Sequence, residues 1–299
     1  MKVDVIGPGA MGLHCALALP AEVQVTLRHP DFDTGRLDIA DDGGRERRVM
    51  TRGLADAEPI SAALVTTKAG QVEGALAACH QALAPDSEIL LLHNGLGPQD
   101  RIAATLHAQQ QLYVGVTTEG ALRESPGRIR HTGQGTTLAG PWNDPVQPGP
   151  LIRCLQRSSL HLHWEPEPDR VRRAVWRKLI INCAINPLTA LHNVPNGALL
   201  EERFRGHWET LTRLACRVAA AEGIDLDCGQ MLEQVETVLH GTARNYSSMQ
   251  QDVQYGRRTE APEILGELIR RGRVHGLDMA PLADLAEHLE HRRLANGST

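Results

Sequence analysis

Short apolar runs alternate with longer amphipathic stretches through the first half of the chain. Val3, Val5 and Ile6 read as a strand buried in a parallel sheet, and Leu13 to Leu19 continue with helical periodicity. The alternation recurs downstream. VQVTLR is a strand ending at Arg28, AALVTTK (62–68) a strand, VEGALAACHQAL (72–83) a helix, and EILLLHNGLG (88–97) a strand with a glycine turn. IAATLHAQQ is a helix and LYVGVTT a further strand. Strand–helix alternation of this length predicts a Rossmann-type, doubly wound parallel sheet in an α/β chain. From about residue 165 the pattern changes. EPEPDR is a polar, proline-containing connector, and the rest reads as helices. The expected division is a sheet domain over 1–165 and an all-helical domain over 166–299.

One helical segment departs from simple amphipathicity. RKLIINCAINPLTAL (177–191) is almost wholly apolar, yet carries Lys178, Asn182 and Asn186 at a spacing of four. In a helix that spacing sets them on one side, each about 6 Å along the axis from the next. A buried polar stripe needs partners, which are either protein groups at helix ends or a polar ligand. Asn186 precedes Pro187, which disfavours continued α-helix, so the stripe is expected to end at a kink or a helix terminus.

The first strand runs into Gly7-Pro8-Gly9-Ala10-Met11-Gly12, a G-x-G-x-x-G turn between strand and helix. In that context Gly7 allows the tight turn, Gly9 lets a pyrophosphate approach the helix N-terminus, and Gly12 lets helix and strand pack closely. The second strand ends at Arg28, where an NAD-binding fold carries a ribose-binding acid. A cation there suits the 2′-phosphate of NADP(H), the plainer alternative being a solvated arginine at a strand end.

Composition narrows the remaining choices. Hydrophobic residues make up 41% and charged residues 22%, ordinary for a globular protein with a real core, and aromatics only 3%, so that core is aliphatic. A net charge of −5 argues against a general nucleic-acid binder. The arginine clusters at 45–48 and 270–271 read as solvated faces. Six scattered cysteines without CxxC spacing suit a reduced, cytoplasmic protein. The start enters a strand directly, so no signal peptide is expected, and no apolar run approaches the ~20 residues of a membrane span. His161 and His163 lack further ligands, so no metal site is expected.

GPGAMG, TKAGQV, HNGLG, KLIINCAINPLTAL, NVPNG and YSSMQQDVQYGRRTE occur in order along the chain. On these motifs the chain resembles the ketopantoate reductase (2-dehydropantoate 2-reductase) family, within the 6-phosphogluconate-dehydrogenase-like group, nearly end to end. The resemblance implies NADPH-dependent reduction of 2-dehydropantoate to (R)-pantoate, on the way to pantothenate and coenzyme A. It implies that Lys178 is catalytic and that Asn182, Asn186, Asn196 and Ser248 hold the substrate. Glu260 would touch cofactor and the lysine network. Asn94 and Lys68 would contact the cofactor, Asn94 also the substrate, and Ala121 would lie on the nicotinamide side. Three residues depart from the usual pattern, Gly70, His93 and Glu119, all around the cofactor.

The residues agree with that chemistry. Hydride reduction of a ketone creates an alkoxide, which needs a proton and a nearby positive charge, and a lysine in an apolar wall supplies both. Amides orient a hydroxyl and a carboxylate without adding charge. Downstream, a helix from about Ser248 is expected to stop near Gly256, Thr259 to cap the next helix, and Pro262 to fit its first turn, with Glu260 at that helix start. The plainer alternative for Glu260 is a first-turn acid complementing the helix dipole. Two other functions fit the same fold: an NADP-dependent reductase of another 2-oxo acid, and a non-catalytic NADPH sensor, against which the intact polar set argues. A small-molecule 2-oxo acid is the expected partner, with no nucleic acid or membrane, and a homodimer is compatible with the sequence.

Overall fold

Buried on both faces, the apolar run at the N-terminus becomes the centre of a sheet. The computed structural model describes residues 1–144 and 146–297. Its first part runs β1 (Lys2–Ile6), α1 (Ala10–Ala18), β2 (Gln24–Arg28), β3 (Gly35–Asp41), β4 (Glu46–Arg52), β5 (Ile60–Val65), α2 (Val72–Ala78) and β6 (Leu83–Leu91). It continues with α3 (Pro98–Ala103), β7 (Gln111–Thr117), β8 (Gly120–Ser125), β9 (Arg128–Gly133), β10 (Thr137–Pro141), α4 (Pro150–Gln156) and β11 (Leu162–Trp164). One sheet holds all eleven strands in the order β11-β10-β7-β6-β5-β1-β2-β4-β3-β9-β8. The stretch from β7 through β4 is parallel throughout, with Ile6 beside Arg28 on one side and Val65 on the other. Antiparallel pairs appear only towards the margins, at β3–β4, β7–β10 and β8–β9.

Helices follow: α5 (Pro168–His192), α6 (Glu202–Ala221), α7 (Cys228–Gly241), α8 (Ser248–Gln254), α9 (Glu267–Val274) and α10 (Ala280–Gly297). The chain divides into two compact units, Met1–His93 with Pro98–Val171, and Asn94–Gly97 with Arg172–Thr299. The fold is therefore α/β, a large, mainly parallel sheet followed by helices. Val3, Val5, Leu13, Leu17 and Leu27 knit sheet and α1 into one core. In the helical unit Trp208 is buried on α6 and donates its indole N–H to the Leu199 carbonyl at 3.1 Å. The Asp227 carboxylate caps α7 by accepting from the Gln230 N–H at 2.7 Å.

Several expectations about local structure are corrected. The helix expected to reach Leu83 stops at Ala78, because Leu83 is taken up by pairing with Ile60 in the sheet. The helix expected at 102–110 is α3, which ends where both the N–H and the hydroxyl of Thr105 turn back to the Ile102 carbonyl at 2.9 Å. The arginine cluster at 45–48 is not one solvated face. Arg48 is exposed and pairs with exposed Asp38. Arg47 folds inward, and its guanidinium donates to the carbonyls of Ala16 (2.7 Å), Leu19 (2.9 Å), Pro20 and Val23 (2.9 Å). It thereby closes the C-terminal end of α1, where helical carbonyls lack intrahelical donors and positive charge is favoured. Arg271 likewise lies largely buried between Glu222 and Glu267.

That contrast is measurable by denaturant unfolding. Charged hydrogen bonds contribute about 1.5–3 kcal/mol, whereas exposed ion pairs contribute about 0–1 kcal/mol. Arg47→Ala is expected to lower stability by about 2 kcal/mol or more, and Arg48→Ala by less than about 1 kcal/mol. Equal losses would mean that Arg47 does not cap α1.

Candidate functional site

In the first unit, β1 enters a glycine turn that is built by exclusion. Gly7 has φ +86°, and a Cβ there would come within 2.4 Å of the Thr67 methyl and 2.8 Å of its backbone nitrogen. A Cβ at Gly12 would meet the Gly7 carbonyl and the Thr66 hydroxyl oxygen, each at 2.6 Å. Gly9 is different, since nothing lies within 4 Å of where its Cβ would be. Gly7 and Gly12 are therefore required by packing, and Gly9 leaves open space at the start of α1. Pro8 is buried, while Ala10 and Met11 begin the helix half-exposed. The first amides of α1 have no intrahelical acceptor, so this open turn suits a phosphate or pyrophosphate. The Thr66 hydroxyl buttresses the turn, donating to the Gly7 carbonyl at 2.8 Å. Lys68 follows at the end of β5, half-exposed. Ala121 lies on β8, opposite His131 of β9.

Arg28 is the clearest correction. Its side chain is 0% exposed. Nε donates to the Asp4 carboxylate at 2.7 Å, one terminal nitrogen to the Asp56 carbonyl at 2.9 Å, and the other to the Glu58 carbonyl at 2.6 Å. Asp4 itself is buried on the neighbouring strand, and burial, partly offset by Arg28, raises its pKa. The expectation of a cation offered to a 2′-phosphate overlooked this partner one strand away. Arg28 is a strut between strands, and its charge carries no argument about the cofactor's phosphate.

The second unit holds the lysine stripe. α5 is continuous over Pro168–His192, with Pro187 inside it, so the helix does not terminate at Asn186–Pro187. Pro187 has no N–H to give the preceding turn, and Thr189 is tied into the helix two residues on. Its hydroxyl lies 3.0 Å from the carbonyls of both Ile185 and Asn186 and 2.8 Å from Ser247 Oγ. Ser247 in turn caps α8 by accepting from the Gln250 N–H at 3.0 Å. Ser248, the first residue of α8, is exposed. Neither Thr189 nor Ser247 stands out in sequence, since a hydroxyl inside a helix and one beside a candidate serine carry no pattern of their own.

Lys178, Asn182 and Asn186 are all half-buried on α5. Among the described residues the two side-chain amides make no hydrogen bond, unlike Asn196, whose amide donates to the Thr242 hydroxyl at 2.9 Å. The Asn196 carbonyl oxygen is buried without a hydrogen-bond partner among the described residues. The amides of the stripe therefore do not tie helix ends together within the core. Burial lowers the Lys178 pKa to about 8, and the neighbouring Glu260 carboxylate opposes that fall. Glu260 accepts from the Asn94 amide at 2.8 Å. The turn that carries Asn94 docks closely. A Cβ at Gly95 (φ +88°) would come within 2.7 Å of the Glu263 carbonyl, and the Leu96 N–H donates to that same carbonyl at 3.0 Å. The Thr259 hydroxyl accepts from the Ala261 N–H at 3.2 Å in a local turn rather than as the expected helix cap, and the chain then takes a π-helical turn over Pro262–Gly266. Asn94, Glu260 and Lys178 thus form one network, and Thr189 joins the far end of the stripe to Ser247, the residue that caps α8.

The second unit thus brings together a half-buried ammonium, a carboxylate beside it and two side-chain amides that make no hydrogen bond among the described residues. The family described as "Ketopantoate reductase PanE/ApbA" matches residues 3–144, and its C-terminal counterpart matches residues 170–292. This chain belongs to the ketopantoate reductase family. The 2-dehydropantoate 2-reductase of Vibrio cholerae is 35% identical over 283 residues, 93% of this chain and 93% of the relative. That of Salmonella typhi is 36% identical, covering 98% of this chain and 95% of the relative. A crystal structure of the probable 2-dehydropantoate 2-reductase of Bacillus subtilis superposes with a TM-score of 0.82 at 28% identity, covering 98% of this chain and 100% of the other. A ternary structure of D-mandelate dehydrogenase with NADH and anilino(oxo)acetate superposes at 0.86 with 25% identity and covers 99% of both. In this member of the ketopantoate reductase family Lys178, Asn182 and Asn186 lie on one helix, the glycine turn opens α1, and Arg28 is buried.

Burying an arginine against an aspartate has a consequence for stability. Removing one partner of a buried ion pair strands the other, at about 3–5 kcal/mol. Arg28→Ala is expected to destabilise the protein on that scale, while changing NADPH and NADH affinity by the same factor. A selective loss of NADPH binding in a protein of unchanged stability would restore Arg28 as a phosphate reader.

Proposed function

We propose that the chain reduces 2-dehydropantoate to (R)-pantoate with NADPH, a step towards pantothenate and coenzyme A. Family membership supports the reaction and the cofactor, and the Asn94–Glu260–Lys178 network is the observation that carries the assignment of residues. In this reading residues 1–165 form the NADP-binding domain and residues 166–299 the substrate domain. Gly7, Pro8, Gly9, Ala10, Met11 and Gly12 hold the dinucleotide, with Lys68, Asn94, Ala121 and Glu260 as further contacts. The open space at Gly9 fits a pyrophosphate, and NADPH when bound supplies the hydride.

The protein's own part is to bind, orient and protonate. Lys178 donates a proton from Nζ to the oxygen of the reduced carbonyl, and its positive charge stabilises that oxygen before transfer. Glu260 holds the ammonium protonated and in position, and Asn94 fixes the carboxylate. Asn182 and Asn186 orient the substrate's hydroxyl and carboxylate, with Asn196 and Ser248 at the carboxylate end. Related 2-oxo acids would share the lysine chemistry and differ in fit to the amides. Six free thiols, five of them buried, suit work in the cytoplasm, and among the described residues no helix is long and apolar enough to cross a membrane.

Turnover with NADPH and 2-dehydropantoate tests the reading directly. Loss of a general acid lowers rates by about 10²–10⁴. Lys178→Ala is expected to fall by at least about 10² in kcat with NADPH binding retained. Because the acid form is lost as pH rises through about 8, the wild-type rate should decline on that limb. A Lys178→Ala enzyme with near-normal turnover and the same alkaline limb would remove the lysine from the mechanism. Asn182→Ala, Asn186→Ala and Ser248→Ala should each raise KM for the oxo acid while NADPH affinity, read by calorimetry, stays within about twofold; losses of the opposite kind would move them out of the substrate pocket.

A further inference from the structure

Three residues far apart in sequence converge in the first unit. His14 lies on α1, Glu119 in the link from β7 to β8, and His131 on β9. His131 Nε2 is 2.7 Å from Glu119 Oε2, and His14 Nε2 is 3.6 Å from the same oxygen. The two imidazoles stack with centroids 4.6 Å apart. One ligand-capable atom from each of the three lies within 4.8 Å of the others. His14 and Glu119 are buried, with side chains 2% and 1% exposed, whereas His131 reaches solvent at 29%. His14 Nε2 is buried and makes no hydrogen bond among the described residues.

We propose that His14, Glu119 and His131 form a binding site for a divalent transition-metal ion of the Zn²⁺ class, with solvent in the fourth position. Two imidazole nitrogens and a carboxylate oxygen are a recurrent three-ligand set for zinc, with ligand distances of about 2.0–2.2 Å. Tetrahedral ligation at those distances sets the ligand atoms about 3.4 Å apart. The His14–Glu119 edge, at 3.6 Å, is already close to that value, and the His131–Glu119 edge needs only to open as its hydrogen bond is replaced by metal ligation. Burial, with the nearby His131 and Arg45, lowers the His14 pKa to about 4, so its imidazole is neutral at pH 7 and no proton has to be displaced to give a neutral ligand. Partial exposure of His131 gives an entry path and a place for the solvent ligand.

Arg45 is the local opponent. Its guanidinium sits 3.4 Å from His14 Nδ1. Ligation through Nε2 places the proton on Nδ1, so that contact must open. Arg45 loses little by it, because it is held by the Asp41 carboxylate at 2.5 Å and by the Ser159 hydroxyl at 3.0 Å. Asp41 also balances its charge, which leaves Glu119 as the uncompensated charge facing an incoming cation. A bound ion would pin α1, just beyond the glycine turn, to the β8–β9 hairpin. The earlier expectation of no metal site considered only adjacent histidines, and no spacing rule links positions 14, 119 and 131.

The test is titration of the metal-free full chain with ZnCl₂ by calorimetry, and with CoCl₂ by visible absorption, where tetrahedral Co²⁺ gives strong d–d bands. One equivalent should bind with tetrahedral-type Co²⁺ spectra. Glu119→Gln, which keeps size and shape, and His131→Ala, at a partly exposed position, should each weaken Zn²⁺ binding by about tenfold or more, the scale on which even outer-shell partners of metal ligands act. Zn²⁺ should also raise the Tm of the wild type and not that of Glu119→Gln. His80→Ala and His161→Ala, which alter other histidines, should bind as the wild type does. Absence of one-equivalent binding, octahedral Co²⁺ spectra, unchanged affinity in both site variants, or loss of binding in the control variants would each overturn the site and leave a hydrogen-bonded His–Glu–His cluster.

Discussion

An ammonium group within an apolar helix stays charged only if something nearby favours the charge, and much of the second unit serves that need. Burial drives Lys178 towards neutrality, and Glu260 opposes it. The balance leaves a pKa of about 8, low enough to release a proton readily and high enough to hold one at neutral pH. Glu260 can act this way only if its carboxylate is fixed. Asn94 holds one oxygen, the Thr259 hydroxyl turns the backbone beside it, and the π-helical turn that follows offers the Glu263 carbonyl to the Leu96 N–H. Gly95 is then obligatory, since any side chain would strike Glu263. A short glycine turn and a helix start far along the chain are coupled through one carboxylate.

The first unit is governed by a different constraint, close approach of backbone. Gly7 admits no Cβ because Thr67, just beyond β5, occupies that space, and Gly12 none because the Gly7 carbonyl and the Thr66 hydroxyl do; that hydroxyl also satisfies the Gly7 carbonyl within the turn. The turn is shaped before any ligand arrives, and only Gly9 faces open space. Arg28 follows the opposite logic. With an acid one strand away its charge is internal, and the pair contributes register between β1 and β2 rather than recognition.

Much of this was legible in the chain. Period-2 and period-3.6 patterns identify the central strands and the change to helices, because those elements bury one consistent face. The glycine turn and the lysine stripe stand out because each breaks a local pattern that packing alone would favour. The antiparallel margins are harder to see. Strands β3 and β4 carry Arg36, Asp38, Glu46 and Arg48 on exposed faces and resemble a charged loop. Charges with distant partners are hardest of all. Arg47 and Arg48 are adjacent and chemically identical, yet one caps a helix and the other meets solvent. Only the pleat of β4, which points successive side chains to opposite faces, separates them. The same limit hid Asp4 from Arg28 and kept His14, Glu119 and His131 apart.

The amides of the stripe follow from the lysine. A second cation at Asn182 would lower the Lys178 pKa further and empty it of its proton at neutral pH. A carboxylate there would pair with the ammonium, raise its pKa and compete with the substrate for it. An apolar residue would offer neither a donor nor an acceptor at that position. An amide offers both a donor and an acceptor and leaves the charge balance between Lys178 and Glu260 undisturbed. Repetition at Asn186 extends the arrangement by one turn, and α5 continues past Pro187 to His192. The polar identity of these two positions is thus set by the neighbouring acid as much as by the ligand they are proposed to hold.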